Sequence, residues 1–221
     1  MNFQARNRAL NSISPRAPVE HLYCMADPLY LSVWFPNLQL DDALPRALAV
    51  MRQFPFSAQY PGVSYVSVQP VSWSEASVLE QRFNPGIAAE QAVLIAVDLL
   101  HEDYAYVFEA SWDLWLASDD GKESTQRPLD VKFIVHGPEF DEGVYEQEGH
   151  IKVEFGLDSP FLQEEVEMTP EAESRVKSNV KKLVDFTNNI EKNAGANARL
   201  LWSESEENIA QKLISRLQKV Q

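Results

Sequence analysis

The sequence predicts an α+β fold in which a mainly antiparallel sheet packs against helices. A long run of alternating apolar and polar residues lies in the middle of the chain, and two more alternating runs follow it. Segments with helical periodicity precede and follow this group. Strands that follow one another along the chain, with helices on either side of the group, are typical of α+β proteins.

The three central strands are the strongest local signal. From Tyr104 to Leu116 one parity is apolar and aromatic, whereas the other parity is mostly polar. Successive side chains point to opposite faces of a strand, so this segment is predicted to be half-buried. Runs over 129–135 and 151–157 alternate in the same way, and the connections between the runs are polar. The simplest arrangement is an antiparallel meander over about 104–158.

Strands and helices alternate before the meander. Alternating apolar residues predict strands over 29–35 and 63–71, and a shorter one within 77–83. A helix over about 41–53 has an apolar stripe along one side. A second helix, over about 86–101, is apolar around most of its circumference, which indicates that it is buried.

Two helices are predicted after the meander. A proline directly after Thr169 marks the start of a helix over about 169–192. Ser203 and Glu206 form a capping box that opens a last helix over about 204–219. A short closing strand is predicted just before this helix.

The domain organisation follows from the ends of these elements. Residues 1–27 are predicted to form a flexible N-terminal arm, since this segment carries arginines and no acid before Glu20. Residues 28–221 are predicted to form a single α+β domain, and the alternative is a tandem of two small α+β units. We expect a cytoplasmic protein, because Cys24 is the only cysteine and cannot form an internal disulfide. An organellar location is the alternative, since an acid-poor, arginine-bearing start is also typical of transit peptides.

Charge excludes two classes of partner. Between Glu139 and Glu173 the chain has twelve acidic residues and a single base, Lys152, so most of the formal net charge of −14 falls there. A negative surface repels phosphate backbones and anionic lipids. We therefore expect neither nucleic acid nor membrane as a partner, and the oligomeric state is left open.

The common catalytic motifs are absent from the sequence. No two of the eight glycines form the Gly-x-Gly pair of a phosphate-binding loop, and there is no Gly-x-Ser-x-Gly elbow. Neither a His-Glu-x-x-His motif nor an Asp-x-Asp-x-Asp-Gly motif is present. No cofactor is predicted from these patterns.

One acidic loop carries a metal hypothesis. His136 and His150 flank the predicted connection between two strands of the meander and are expected to face each other. Imidazole nitrogens and carboxylates together suit zinc or another divalent cation. The candidate ligands are His136, His150, Glu139, Asp141 and Glu148. A solvated loop that binds nothing is the competing interpretation.

Three aromatic residues carry a binding hypothesis. Tyr30, Trp34 and Trp115 lie on the more polar parities of their strands. If that face of the sheet is open, they form a surface for a partner or an apolar ligand, and if helices cover it, they belong to the core. The function is therefore not determined by the sequence. The favoured hypothesis is an acidic, non-enzymatic binding protein for a protein partner or a small apolar ligand, and the alternative is a metal-dependent hydrolase that uses the His136/His150 loop.

Overall fold

The computed structural model describes residues 26–117, 123–162, 169–204 and 209–218. Nearly all of the predicted arm over 1–27, and Glu206 of the predicted capping box, lie outside the described residues. Within the described ranges the chain has a seven-stranded antiparallel sheet and α-helices, so the predicted α+β fold is confirmed. None of the described helices is long and apolar enough to cross a lipid bilayer.

Seven strands form one open sheet. They are β1 (Pro28–Trp34), β2 (Val63–Pro70), β3 (Leu79–Ile87), β4 (Tyr104–Ala117), β5 (Ser124–His136), β6 (Ile151–Leu157) and β7 (Ala198–Ser203). Their order across the sheet is β3-β2-β4-β5-β6-β1-β7, and every neighbouring pair is antiparallel. The predicted meander of β4, β5 and β6 therefore forms the middle of the sheet, while β3 and β7 are its two edges.

The described helices differ in length. They are α1 (Leu40–Met51), α2 (Ala89–Val97), α3 (Tyr145–Glu148), α4 (Ser159–Leu162), α5 (Pro170–Asn193) and α6 (Ile209–Gln218). The helix predicted over about 86–101 is shorter than expected, because its first residues complete β3, where Ile87 pairs with Val63. Helices α3 and α4 were not predicted, since four residues are too few to show a helical period.

One face of the sheet shares a single hydrophobic core with α1, α2, α4, α5 and α6. Aromatic rings fill its middle. The Phe54 ring centroid lies 5.5 Å from that of Trp112, 5.1 Å from that of Phe133 and 5.4 Å from that of Phe186. The strand side chains of the opposite parity form the second face, which we call the outer face.

A buried asparagine joins α5 to the sheet. Asn179 is 1% exposed. Its Oδ1 accepts a hydrogen bond from the Trp115 N–H (2.9 Å), and its Nδ2 donates to the Trp115 carbonyl (2.7 Å) and to the Pro160 carbonyl (2.9 Å). The pairing of β4 with β2 ends at Ala110. Beyond that point, the Asn179 side chain provides the donor and the acceptor that the backbone of Trp115 needs.

Candidate functional site

An aromatic pair lies on the outer face where β1 meets β7. The rings of Tyr30 and Trp202 are 4.5 Å apart between centroids, and both side chains are partly exposed. Trp202 Nε1 donates to Ser32 Oγ (3.0 Å), which fixes the indole on the strand beside it. Burial, and after it the negative charge of Glu154, raises the pKa of the Tyr30 hydroxyl. That hydroxyl is therefore neutral at physiological pH.

Lys152 lies beside this pair. Its Nζ is 3.0 Å from Glu148 Oε2 and 3.4 Å from Glu154 Oε1. The same nitrogen lies 4.7 Å from the centre of the Tyr30 ring and 5.9 Å from that of Trp202. Only 9% of Lys152 is exposed. Two carboxylates and two ring faces therefore balance a cation that little water reaches.

A row of side chains crosses the outer face along the strand pairings. Lys132 Nζ is 3.8 Å from Glu109 Oε1, and the Arg82 guanidinium lies 4.6 Å from the centre of the Tyr65 ring. Opposite charges on adjacent strands are typical of a sheet face that contacts water. In order, the row contains Trp202, Tyr30, Glu154, Lys132, Glu109, Tyr65 and Arg82.

The structure places two of the three aromatic residues that the sequence singled out on one strand and the third on another. Tyr30 and Trp34 are four residues apart on the same face of β1, and Trp34 Nε1 donates to the Tyr145 carbonyl (3.1 Å). Trp115 is on β4, three strands away from Tyr30. The residue of β4 in the same row as Tyr30 is Glu109, and Trp115 lies six residues beyond it. Trp202, the partner of Tyr30, was not predicted. Its position next to the inward-facing Leu201 in an alternating segment was the signal in the sequence.

The Trp115 side chain has a different environment. The Arg175 guanidinium from α5 lies 4.6 Å from the centre of the indole ring. Arg175 also donates to the Ser124 carbonyl (2.9 Å) and pairs with Glu171 (2.6 Å). The Trp115 ring is thus partly covered by the start of α5 and is not part of the aromatic pair.

The two histidines meet at the end of the sheet, as predicted. The His136 N–H donates to the His150 carbonyl (3.0 Å), and both side chains line a cavity of about 60 Å³ together with Tyr145 and the start of α1. His136 Nδ1 bonds the Gly149 carbonyl at 2.8 Å, and the other ring nitrogen, Nε2, has no hydrogen-bond partner among the described residues. Burial lowers the pKa of His136.

His150 is held by its neighbours on either side. Its Nδ1 accepts a hydrogen bond from the Phe35 N–H (3.1 Å), and its ring stacks on Tyr145 with centroids 4.9 Å apart. Burial, and to a smaller extent the nearby His136, lowers the pKa of His150. The nitrogen that faces Phe35 is therefore a hydrogen-bond acceptor and is already in use.

The five residues of the metal hypothesis do not converge. His136 Nε2 is 4.0 Å from Glu148 Oε2, whereas Glu139 is exposed and its N–H donates to the Glu102 carbonyl (2.8 Å). Within the described part of the chain, no three His, Cys, Asp or Glu residues form a group that could hold a metal ion. A divalent cation at this loop stays a prediction.

The comparisons with known proteins give no family for this fold and surface. The chain matches no known protein family, no curated protein and no solved structure. The function must therefore be argued from the chemistry of the described surface.

Proposed function

We propose that the protein is a non-enzymatic binding protein that contacts a partner through the Tyr30–Trp202 pair on the outer face. The observation that carries this proposal is the close aromatic pair itself, partly exposed on the sheet and next to a buried cation, Lys152. Tyr and Trp dominate binding energy at protein interfaces, because they bury a large area and lose little rotamer entropy. A prearranged pair needs little reorganisation on binding.

The charge around the pair suggests the chemistry of the partner. Glu148 and Glu154 lie next to Lys152, and the whole chain carries a net charge of −14. Such a surface attracts a positively charged partner and speeds its association at low salt. We therefore propose that the partner is a protein segment with lysine or arginine next to apolar side chains, and that binding takes place in the cytoplasm. A small apolar ligand is the alternative occupant of the same pair.

Selection from a random peptide display library tests this proposal. We expect peptides rich in Lys or Arg and in apolar residues to be enriched on the wild-type protein. Tyr30→Ala should weaken their binding by about tenfold or more, the effect of losing one interface hot spot. Tyr60→Ala is the matched control, because Tyr60 is 53% exposed and is not part of the aromatic pair.

Calorimetry in low and high salt completes the experiment. Affinity should fall as ionic strength rises, since Glu148 and Glu154 contribute through charge. Failure to enrich any peptide, or binding that Tyr30→Ala and Trp202→Ala leave unchanged, would contradict the proposal. If no peptide is enriched but an apolar small molecule binds and Tyr30→Ala weakens its binding, the alternative is favoured.

A further inference from the structure

The two edges of the sheet are built differently. An edge strand exposes unpaired backbone N–H and C=O groups, and proteins commonly block such edges with charge, proline or irregular pairing. The β3 edge has all three features. Glu80 and Arg82 are exposed, Pro85 lacks an N–H, and the pairing with β2 shifts register between Val63 and Tyr65.

The β7 edge has neither proline nor irregular pairing, and its single charged side chain is engaged within the same chain. Its six residues contain no proline or glycine, and its pairing with β1 is regular. The only charged side chain in β7, Arg199, is held by Glu191 (2.8 Å) and Asn188 (2.8 Å) of α5. Leu200, in the middle of the strand, is 53% exposed. An open apolar edge of this kind is a template for another strand.

An apolar groove lies next to this strand. Its volume is about 330 Å³, and Val184, Leu201 and Leu213 are among the side chains that line it. Ile214 of α6 also lines it and is 49% exposed. An added strand would place every second side chain over this groove, because side chains alternate between faces.

The charge of this region indicates which strand fits. The six residues of β7 and the ten of α6 include no aspartate or glutamate, although the chain contains 33 acidic residues. Two copies with a net charge of −14 repel each other over most of their surfaces. Glu204, Glu206 and Glu207 lie in the connection between the two elements, so antiparallel contact along β7 is favourable where it sets Glu204 against Arg199 of the partner subunit.

We propose that two copies of the chain associate through their β7 edges, antiparallel and related by a two-fold axis perpendicular to the sheet. Such an axis keeps the helices of both copies on one side and pairs Leu200 or Leu201 with the same residue of the partner. It also brings the exposed Glu204, just after β7, close to the partner's Ala198 and Arg199. The result is one continuous antiparallel sheet.

Sedimentation analysis over a range of concentrations tests the dimer. We expect the full chain to sediment at twice 25.1 kDa and to dissociate on dilution. Leu200→Glu should yield the monomer at concentrations at which the wild type is dimeric, because two carboxylates then lie close together on either side of the axis. Leu157→Glu is the matched control, since Leu157 is a strand leucine that is 52% exposed and does not lie on the β7 edge. This control should remain dimeric.

Melting curves check that both variants are folded, and both substitutions at exposed positions should leave the melting temperature of the monomer unchanged. A wild-type chain that is monomeric up to about 100 μM would overturn the proposal. A strand from another protein would then be the candidate to pair with the β7 edge. A dimer that Leu200→Glu does not dissociate would also overturn it, because the copies would then meet elsewhere.

Discussion

Replacing Asn179 with alanine should destabilise the protein by about 3 kcal/mol. The substitution removes three hydrogen bonds, to the N–H and carbonyl of Trp115 and to the carbonyl of Pro160. A typical intramolecular hydrogen bond contributes about 1 kcal/mol net, and a buried group left without a partner costs roughly 1–3 kcal/mol. The higher helix propensity of alanine offsets roughly 0.5 kcal/mol of this loss.

Asn189→Ala is the matched control, because Asn189 lies on the same helix and is exposed. The gain in helix propensity is the same for both variants, so the difference between them isolates the buried hydrogen bonds. Urea denaturation followed by circular dichroism gives the free energy of unfolding, and hydrogen exchange at the Trp115 amide should accelerate only in Asn179→Ala. If the two variants are equally stable, the Asn179 side chain does not hold α5 to β4 and the reasoning fails.

Two further predictions concern the histidine loop. Burial holds the pKa of His136 below its ordinary value of 6.5, so the unfolded chain takes up a proton that the folded chain does not. The neutral, buried His136 side chain therefore contributes fully to stability above pH 6.5. This contribution is lost as the pH falls towards the lower pKa that His136 has in the folded state. The free energy of unfolding should therefore fall less between about pH 7.5 and pH 5.5 in His136→Asn than in the wild type, and an equal fall would refute the assignment. Melting with EDTA or with added Zn²⁺, Mn²⁺ or Ca²⁺ tests the metal prediction. We expect no shift in melting temperature, because no three His, Cys, Asp or Glu residues in the described part of the chain form a group that could hold a metal ion, and a stabilisation by Zn²⁺ that His136→Asn abolishes would support the metal hypothesis.

The strands were predictable because each has one face towards a core and one towards water. The alternation from Tyr104 to Leu116 follows directly from that environment, and β4 spans it in the structure. The order of the strands was not predictable in this way. A period of two indicates that a strand has a buried face, but it does not say that β1 pairs with both β6 and β7.

The candidate surface was only partly predictable, because local periodicity does not show which strands pair. Parity placed Tyr30 and Trp34 on one face of β1, but Trp202 joins Tyr30 through a pairing between strands about 170 residues apart. Lys152 stood out in the sequence as the lone base of the acidic stretch. Its position between Glu148 and Glu154, over two aromatic rings, depends on tertiary structure that local patterns do not report.

The position of β1 has a consequence for synthesis. Leu31 pairs with Val153 and Leu201, so the first strand of the sheet cannot complete its pairing until the last strand has been made. At roughly 5–20 residues per second, the ribosome needs about 10–30 seconds to reach that point. Until β6 has been made, the apolar residues of β1 have no strand to pair with, and one edge of β1 then stays unpaired until β7 has been made, whereas the β4–β5 hairpin can already form. A nascent chain of this protein should therefore depend on chaperones until β7 has emerged from the ribosome.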